Sequence, residues 1–247
     1  MRLRICHLYP ELMNLYGDRG NIISLVRRAE WMGVASETDK VTLGEERDFE
    51  KYDILFVGGG QDREQRLICV DFEQVKGKAL ARAIEAGIVT LAVCGGYQLL
   101  GKYYKTGAGE VLDGIGMLDA WTVAGTKRLI GNVVIESDIS GELRTVVGFE
   151  NHSGQTFLGT GVKALGKVKH GFGNNGQDGL EGCVYKNCVG TYLHGSLLPK
   201  NPWLADHLIK KALERKYGGF ELPVLDDALE TRAHEAAIRR ARQRPGV

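Results

Sequence analysis

Among the five cysteines of the chain, Cys94 is set apart by its neighbours. The apolar run Ile88-Val89-Thr90-Leu91-Ala92-Val93 leads straight into it and Gly95-Gly96-Tyr97-Gln98-Leu99-Leu100 follows. This pattern predicts a strand, a tight turn and a helix. In such an elbow the side chain projects from the carboxyl end of a sheet, and small neighbours allow a sharp backbone and close approach of substrate. A thiol at a helix start also feels the positive end of the helix dipole, which favours the attacking thiolate. Addition of a thiolate to an amide creates an oxyanion, which preorganised backbone N–H groups must meet. Gly58-Gly59-Gly60 ends the preceding apolar run Asp53-Ile54-Leu55-Phe56-Val57, so its loop is expected to face the elbow, with the amides of Gly60 and Gly95 as the oxyanion donors. The same chemistry needs a base to form the thiolate and an acid for the leaving nitrogen, and one imidazole can serve as both. His194 is best placed, because it closes the β-rich run Cys188-Val189-Gly190-Thr191-Tyr192-Leu193 and opens a loop at Gly195-Ser196. His152 competes for the role. His7 falls in a first strand, His170 in a glycine-rich loop, and His207 and His234 on helices.

The elements that must carry these residues alternate. Leu3 to Leu8 reads as a strand, and Asp18 as the cap of a helix whose apolar positions Ile22, Ile23, Leu25, Val26 and Ala29 end before Gly33. The near-continuous apolar run before Gly58 suits a parallel strand covered on both faces. A helix is predicted from about Gln74 to Ala86, then the strand into Cys94. This order predicts a doubly wound, mostly parallel sheet with helices on both faces for the first hundred residues or so. Beyond Gly101 the pattern changes to short strands, Trp121-Thr122-Val123, Asn132 to Ile135, Thr145 to Phe149 and Gly182 to Tyr185, separated by glycine-rich turns. A hairpin-rich portion is therefore added to the sheet, and the run ending at His194 is expected to rejoin it. Helices from about Trp203 to Lys216 and Asp226 to Arg242 finish a single domain spanning 1–247, and Arg244 to Val247 reads as a loose tail.

Composition narrows the function. With 32 basic and 31 acidic residues the formal charge is +1, which provides no broad field for nucleic acid or an anionic membrane. No apolar run approaches the roughly 20 residues that cross a bilayer, and the start does not read as a secretory signal, so a cytoplasmic protein is expected. The cysteines are odd in number, irregularly spaced and without Cys-x-x-Cys pairs, suggesting neither a disulfide framework nor a metal site. Neither a phosphate-binding P-loop nor an intact Gly-x-Gly-x-x-Gly fingerprint is present.

Cys94-Gly95-Gly96-Tyr97-Gln98 resembles the C-x-G-x-Q nucleophile motif of class I glutamine amidotransferases. Gly148-Phe149-Glu150-Asn151-His152-Ser153-Gly154 and Thr191-Tyr192-Leu193-His194-Gly195 resemble segments of their cobyric acid synthase-like branch. Leu15-Tyr16-Gly17-Asp18-Arg19-Gly20-Asn21 and Lys127-Arg128-Leu129-Ile130-Gly131-Asn132 are similar to the glutaminase subunits of lipid II isoglutaminyl synthases. The resemblance implies a flavodoxin-like fold, Cys94 as nucleophile, His194 as acid and base, and Arg128 as a substrate-binding residue for the glutamine α-carboxylate. An arginine fork pairs bidentately with such a group. Gln98 would line the glutamine pocket or brace the elbow. Many class I relatives have a glutamate two residues after the histidine, but Ser196 stands there. A dyad, a carboxylate such as Glu150, or one from a partner are all compatible with that departure.

The resemblance further implies no cofactor in this chain. Its partner would be a Mur ligase-like synthetase subunit, MurT, in a heterodimer; that subunit would use ATP and Mg²⁺ to activate the D-glutamate α-carboxyl of lipid II. An apolar stripe of Leu225, Ala228, Leu229, Ala236, Ala237 and Ala241 on the last helix serves either packing on the chain itself or docking of the partner. Competing readings are an amidotransferase for another acceptor such as a cobyrinate-type tetrapyrrole, a cysteine peptidase or hydrolase with a similar elbow, and a catalytically silent binding subunit.

Overall fold

The structure is a computed structural model that describes residues 1–219 and 221–243; the tail expected at 244–247 lies outside them. Along the first half run β1 (Arg2–Leu8), α1 (Arg19–Trp31), β2 (Ala35–Val41), β3 (Ile54–Val57), α2 (Asp62–Asp71), α3 (Gly77–Glu85), β4 (Val89–Val93) and α4 (Gly95–Leu100). There follow β5 (Tyr103–Lys105), β6 (Val111–Asp113), β7 (Ala120–Ser137), β8 (Arg144–Leu158), β9 (Gly166–His170) and β10 (Leu180–Glu181). The chain ends with β11 (Cys183–Tyr185), β12 (Cys188–Thr191), α5 (Pro202–Tyr217) and α6 (Ala228–Gln243).

The main sheet has six strands in the order β11-β12-β4-β3-β1-β2. Every neighbouring pair is parallel except the β11–β12 hairpin. Every residue of β3 and β4 is buried, which is why these strands are apolar without alternation. The chain passes from β1 outward to β2, then crosses back to β3 on the other side of β1. Right-handed crossovers in opposite directions set α1 and the α2–α3 pair on opposite faces. This makes the gap between β1 and β3 a switch point, where ligands bind beyond the carboxyl ends of the strands. The loops after β1, β3, β4 and β12 all open on that edge.

The second sheet runs β10-β9-β7-β5-β6, with β8 paired to β7. The two strands expected at 121–123 and 132–135 are one long strand, β7, whose register against β8 breaks between Ala124 and Leu129. A bulge inserts polar residues without ending the strand, which is why the sequence pattern shows two separate strands here. His170 ends β9 rather than lying in a loop. Phe149 of β8 and His194 exchange backbone hydrogen bonds of 3.2 and 2.7 Å, which stitches this sheet to the carboxyl edge of the first. One buried apolar cluster includes Ile54 and Leu91 of the main sheet together with Val133, Ile135 and Val146 of the second.

Two further departures from the expected elements have local causes. The helix predicted from Gln74 begins twelve residues earlier, at Asp62, and reaches Glu85 through one π-helical turn, Phe72–Lys76. Its start is a Gln61–Glu64 capping box, less recognisable than one opened by Ser or Thr. Strand β2 had no prediction because Ala35–Val41 is polar; it is the edge strand and pairs only with β1, where charged side chains discourage further pairing.

Candidate active site

Cys94 stands between β4 and α4 with φ 49° and ψ −104°, a strained conformation for a residue with a side chain. It is held there from both sides: its N–H donates to Thr191 O at 2.8 Å, and its carbonyl accepts from Gln98 N at 2.9 Å. Gly96 N donates to Gly58 O at 3.1 Å, so the elbow rests against the glycine loop. A Cβ on Gly95 would lie 3.0 Å from Gly60 N. The Gly60 and Gly95 amides are therefore neighbours, and neither donates to a protein acceptor among the described residues. This geometry suits a pair of donors for an oxyanion beside the thiol. The other thiols differ in setting: burial pushes Cys69 and Cys183 up to about 12, and raises Cys6 and Cys188 as well. Such groups stay protonated and inert.

His194 follows β12, whose Thr191 pairs with Val93 next to Cys94. The approach to His194 is fixed by Glu181, which accepts from Thr191 Oγ1 at 2.5 Å and Tyr192 N at 2.9 Å. His194 Nδ1 lies 3.5 Å from Asp18 Oδ1, and both side chains are fully buried. That separation is an ion-pair contact, longer than a well-formed N–H···O hydrogen bond. The other Asp18 oxygen accepts from Gly59 N at 2.7 Å. A Cβ on Gly59 would come within 2.7 Å of His194 Cε1, 3.3 Å of Asp18 Oδ2 and 3.4 Å of Cys94 Cβ. Asp18, His194 and the Cβ of Cys94 thus converge over a glycine that has no room for a side chain, with neither His194 ring nitrogen in a hydrogen bond among the described residues. Burial opposes charge on His194, but Cys94 and Asp18 together raise its pKa from 6.5 to about 10, as expected for an imidazole facing acidic groups.

Asp18 therefore does something other than cap α1 with its side chain. It makes no side-chain cap bond; Asn14 Oδ1 instead accepts from Arg19 N at 2.8 Å, which leaves the Asp18 carboxylate free to turn toward the site. The position two residues after His194 is accounted for too. Ser196 Oγ donates to Gly17 O at 2.7 Å, tying the histidine loop to the loop that carries Asp18. Asp18 is the residue whose role the sequence reading missed; the available signal was an acidic side chain in the loop after β1, at the edge where the loops of β3, β4 and β12 also open. Glu150, the alternative carboxylate, accepts from Phe172 N and Gly173 N at 2.7 and 2.9 Å and lies 3.8 Å from His152, not against His194. His152 is itself stacked on Tyr192 with ring centroids 3.6 Å apart, and its Nδ1 is 2.6 Å from Gly154 O. It borders the cavity as a fixed wall.

That cavity has a volume of about 410 Å³ and is bordered by Cys94, Gly60, Gln65, Gln98, Arg128, His152 and Tyr16 among others; clefts for small ligands run from ~300 to 1,000 Å³. Arg128 sits on the β7 irregularity, which aims it at the mouth. Its Nε donates to Asn151 Oδ1 at 2.5 Å and its Nη2 to Asn151 O at 3.4 Å. Asn151 is in turn hydrogen-bonded to the Tyr16 hydroxyl. One edge of the exposed guanidinium is thus used for orientation, and Nη1 is left for an anionic ligand. Gln98 is buried, and its Nε2 donates to the Tyr192 hydroxyl at 3.0 Å, so it both braces α4 and borders the cavity. Of the site residues expected from the sequence, Cys94, Gly60, Gln98 and Arg128 border this cavity, whereas Gly95 and the fully buried His194 adjoin Cys94 without forming part of its wall.

A thiol on a strained elbow, a buried imidazole–carboxylate pair and two free amides beneath a polar cleft are the equipment of a cysteine-dependent amidotransferase. The family model of the CobB/CobQ-like glutamine amidotransferase domain matches residues 4–202, and the chain belongs to that family. It is 46% identical over 239 residues to the Staphylococcus aureus "Lipid II isoglutaminyl synthase (glutamine-hydrolyzing) subunit GatD", covering 97% of this chain and 96% of that protein. The Streptococcus pneumoniae protein of the same description is 44% identical over 230 residues, 92% of this chain and 87% of that protein. Among solved structures, a chain from the PurLQS structure of Thermotoga maritima superposes with a TM-score of 0.60 at 18% identity, over 87% of this chain and 97% of that one; this likeness concerns the fold.

Proposed function

We propose that the chain is the glutaminase subunit of a lipid II isoglutaminyl synthase. In this role it hydrolyses L-glutamine and hands ammonia to a Mur ligase-like synthetase, MurT. The carrying observation is the convergence of Cys94, His194 and Asp18 over Gly59. Glutamine enters with its α-carboxylate on Arg128 and its carboxamide beside Cys94. The thiolate attacks the carboxamide carbon, and the Gly60 and Gly95 amides stabilise the oxyanion. As the C–N bond breaks, the His194 imidazolium gives its proton to the nitrogen and ammonia leaves. His194 then takes a proton from water, which attacks the γ-glutamyl thioester; glutamate departs and the thiolate returns.

Ammonia is largely protonated near neutral pH and then a poor nucleophile, so direct delivery to an activated acceptor is expected. MurT would supply that acceptor, using ATP and Mg²⁺ to activate the α-carboxyl of D-glutamate in the lipid II stem peptide, with D-isoglutamine as the product. The heterodimer would act from the cytoplasm on a lipid-linked substrate at the inner membrane face. Among the described residues, no helix of this chain is long and apolar enough to cross a membrane.

The test is glutamate release from L-glutamine with and without the synthetase subunit. Cys94→Ala and His194→Ala are expected to lose activity by roughly 10³-fold or more, as for paired nucleophile and base groups. Arg128→Ala is expected to raise KM strongly. Full activity in Cys94→Ala rejects the mechanism; loss in His152→Ala with retention in His194→Ala reassigns the base. Hydrolysis of peptides in preference to glutamine would favour the peptidase reading.

A further inference from the structure

Gln65 lies on the first turns of α2, which springs directly from the Gly58–Gly60 loop, and its N–H donates to Gln61 O at 2.9 Å. Its side chain is 3% exposed and borders the same cavity as Cys94. The side-chain Nε2 donates to Gly60 O at 3.2 Å. Turning the amide over would set its oxygen against that carbonyl, so the hydrogen bond fixes which end faces Gly60. The other end, Oε1, is buried without a partner among the described residues. A buried unpaired acceptor of this kind is costly, and calls for an explanation. A Cβ on Gly95 would lie 3.1 Å from Gln65 Nε2 and 3.0 Å from Gly60 N. The Gln65 amide, the Gly60 amide and the elbow therefore surround one point beside the thiol.

We propose that Gln65 is the residue that selects a carboxamide over a carboxylate: its NH₂ holds the Gly60 peptide in place, and its Oε1 accepts a hydrogen bond from the NH₂ of bound glutamine. This rests on glutamine being the substrate. With the carboxamide oxygen on the Gly60 and Gly95 amides, the substrate nitrogen needs an acceptor, and Gln65 Oε1 is the buried one at hand. Glutamate presents an oxygen instead of the NH₂ and meets Oε1 lone pair to lone pair. The same contact then assists release of the product carboxylate. Gln98 also borders the cavity with its amide nitrogen on Tyr192, but the oxygen left buried without a partner is that of Gln65.

The experiment compares Gln65→Met, which keeps length but has no carbonyl, and Gln65→Glu, which keeps an acceptor and adds negative charge. In the full chain, alone and with the synthetase subunit, kcat/KM for L-glutamine and the inhibition constant for L-glutamate are measured. Dissociation constants for both ligands are also measured in a Cys94→Ala background. Gln65→Met is expected to lower kcat/KM for glutamine at least about tenfold, the scale of one lost buried hydrogen bond, while glutamate binds as well as before or better. Gln65→Glu is expected to bind glutamate more weakly than either, so that discrimination follows the order Glu, Gln, Met. Equal weakening of both ligands, or no change in their ratio across the folded variants, overturns the assignment and leaves Gln65 a support for the loop. If the unsubstituted chain hydrolyses no glutamine in either setting and binds none, the functional reading fails, and this assignment fails with it for a different and visible reason.

Discussion

A single carboxylate changes how the site is read. Asp18 looks in the sequence like a helix cap, because Asp before an apolar-periodic run is the commonest sign of one. Asn14 takes the capping contact and the Asp18 side chain faces His194. Cys94 and His194 were legible because each follows an apolar strand beside glycine; Asp18 was not, since its partner is 176 residues away in sequence and no local pattern connects them. The sign of its effect follows from the imidazole. The His194 pKa stands at about 10, above its ordinary 6.5, through Cys94 and Asp18. The protonated ring thus stabilises the fold fully below about pH 6.5, and that contribution is lost as pH rises through about 10. Asp18→Asn keeps an acceptor for Gly59 N but removes the charge. It should move the alkaline limb of the kcat/KM profile down by roughly one to three pH units and lower kcat roughly 10²-fold or more. A profile that stays in place, measured over pH 6 to about 11, would deny Asp18 its part.

At the scale of elements, the sequence was most informative where burial leaves a strand no choice. β3 and β4 are apolar throughout because helices cover both faces, and their ends carry Gly60 and Cys94. It was least informative where an element is polar or interrupted, as in edge strand β2, the capping box at Gln61 and the β7 bulge that presents Arg128. The joints between elements were also invisible to local patterns. Arg28 of α1 is buried and binds Asp206 of α5 through Nε and Nη2 at 2.5 and 2.7 Å, and Asp227 before α6 through Nη1 at 2.7 Å. Burial opposes its charge, and the two carboxylates more than restore it. Arg28→Met leaves two partly buried carboxylates without their cation, a change expected to cost on the order of 3 kcal/mol. Denaturant unfolding should register that loss, and the glutaminase KM of the folded fraction should stay unchanged. A midpoint equal to that of the unsubstituted chain would mean the joint carries little stability.

For the whole molecule, two sheets meet along one catalytic edge. The parallel sheet brings the thiol, imidazole, carboxylate and glycine amides, and the hairpin sheet closes over them with Arg128, Asn151 and His152. Half of the apolar stripe expected near the C-terminus packs within the chain, and Ala228 and Leu229 are exposed. Ala237, Ile238 and Ala241 of α6 pack on Val134 and Val147, and Leu225 on the main core, whereas Leu229 stays 66% exposed. The proposed mechanism requires a γ-glutamyl thioester at Cys94. The direct measurement is to trap it with hydroxylamine while the chain, with its synthetase subunit, turns over L-glutamine. γ-Glutamyl hydroxamate should form at the expense of glutamate in the unsubstituted chain, and neither product should form with Cys94→Ala. Glutamate released with no hydroxamate at any hydroxylamine concentration, or undiminished product from Cys94→Ala, would contradict a thioester at Cys94.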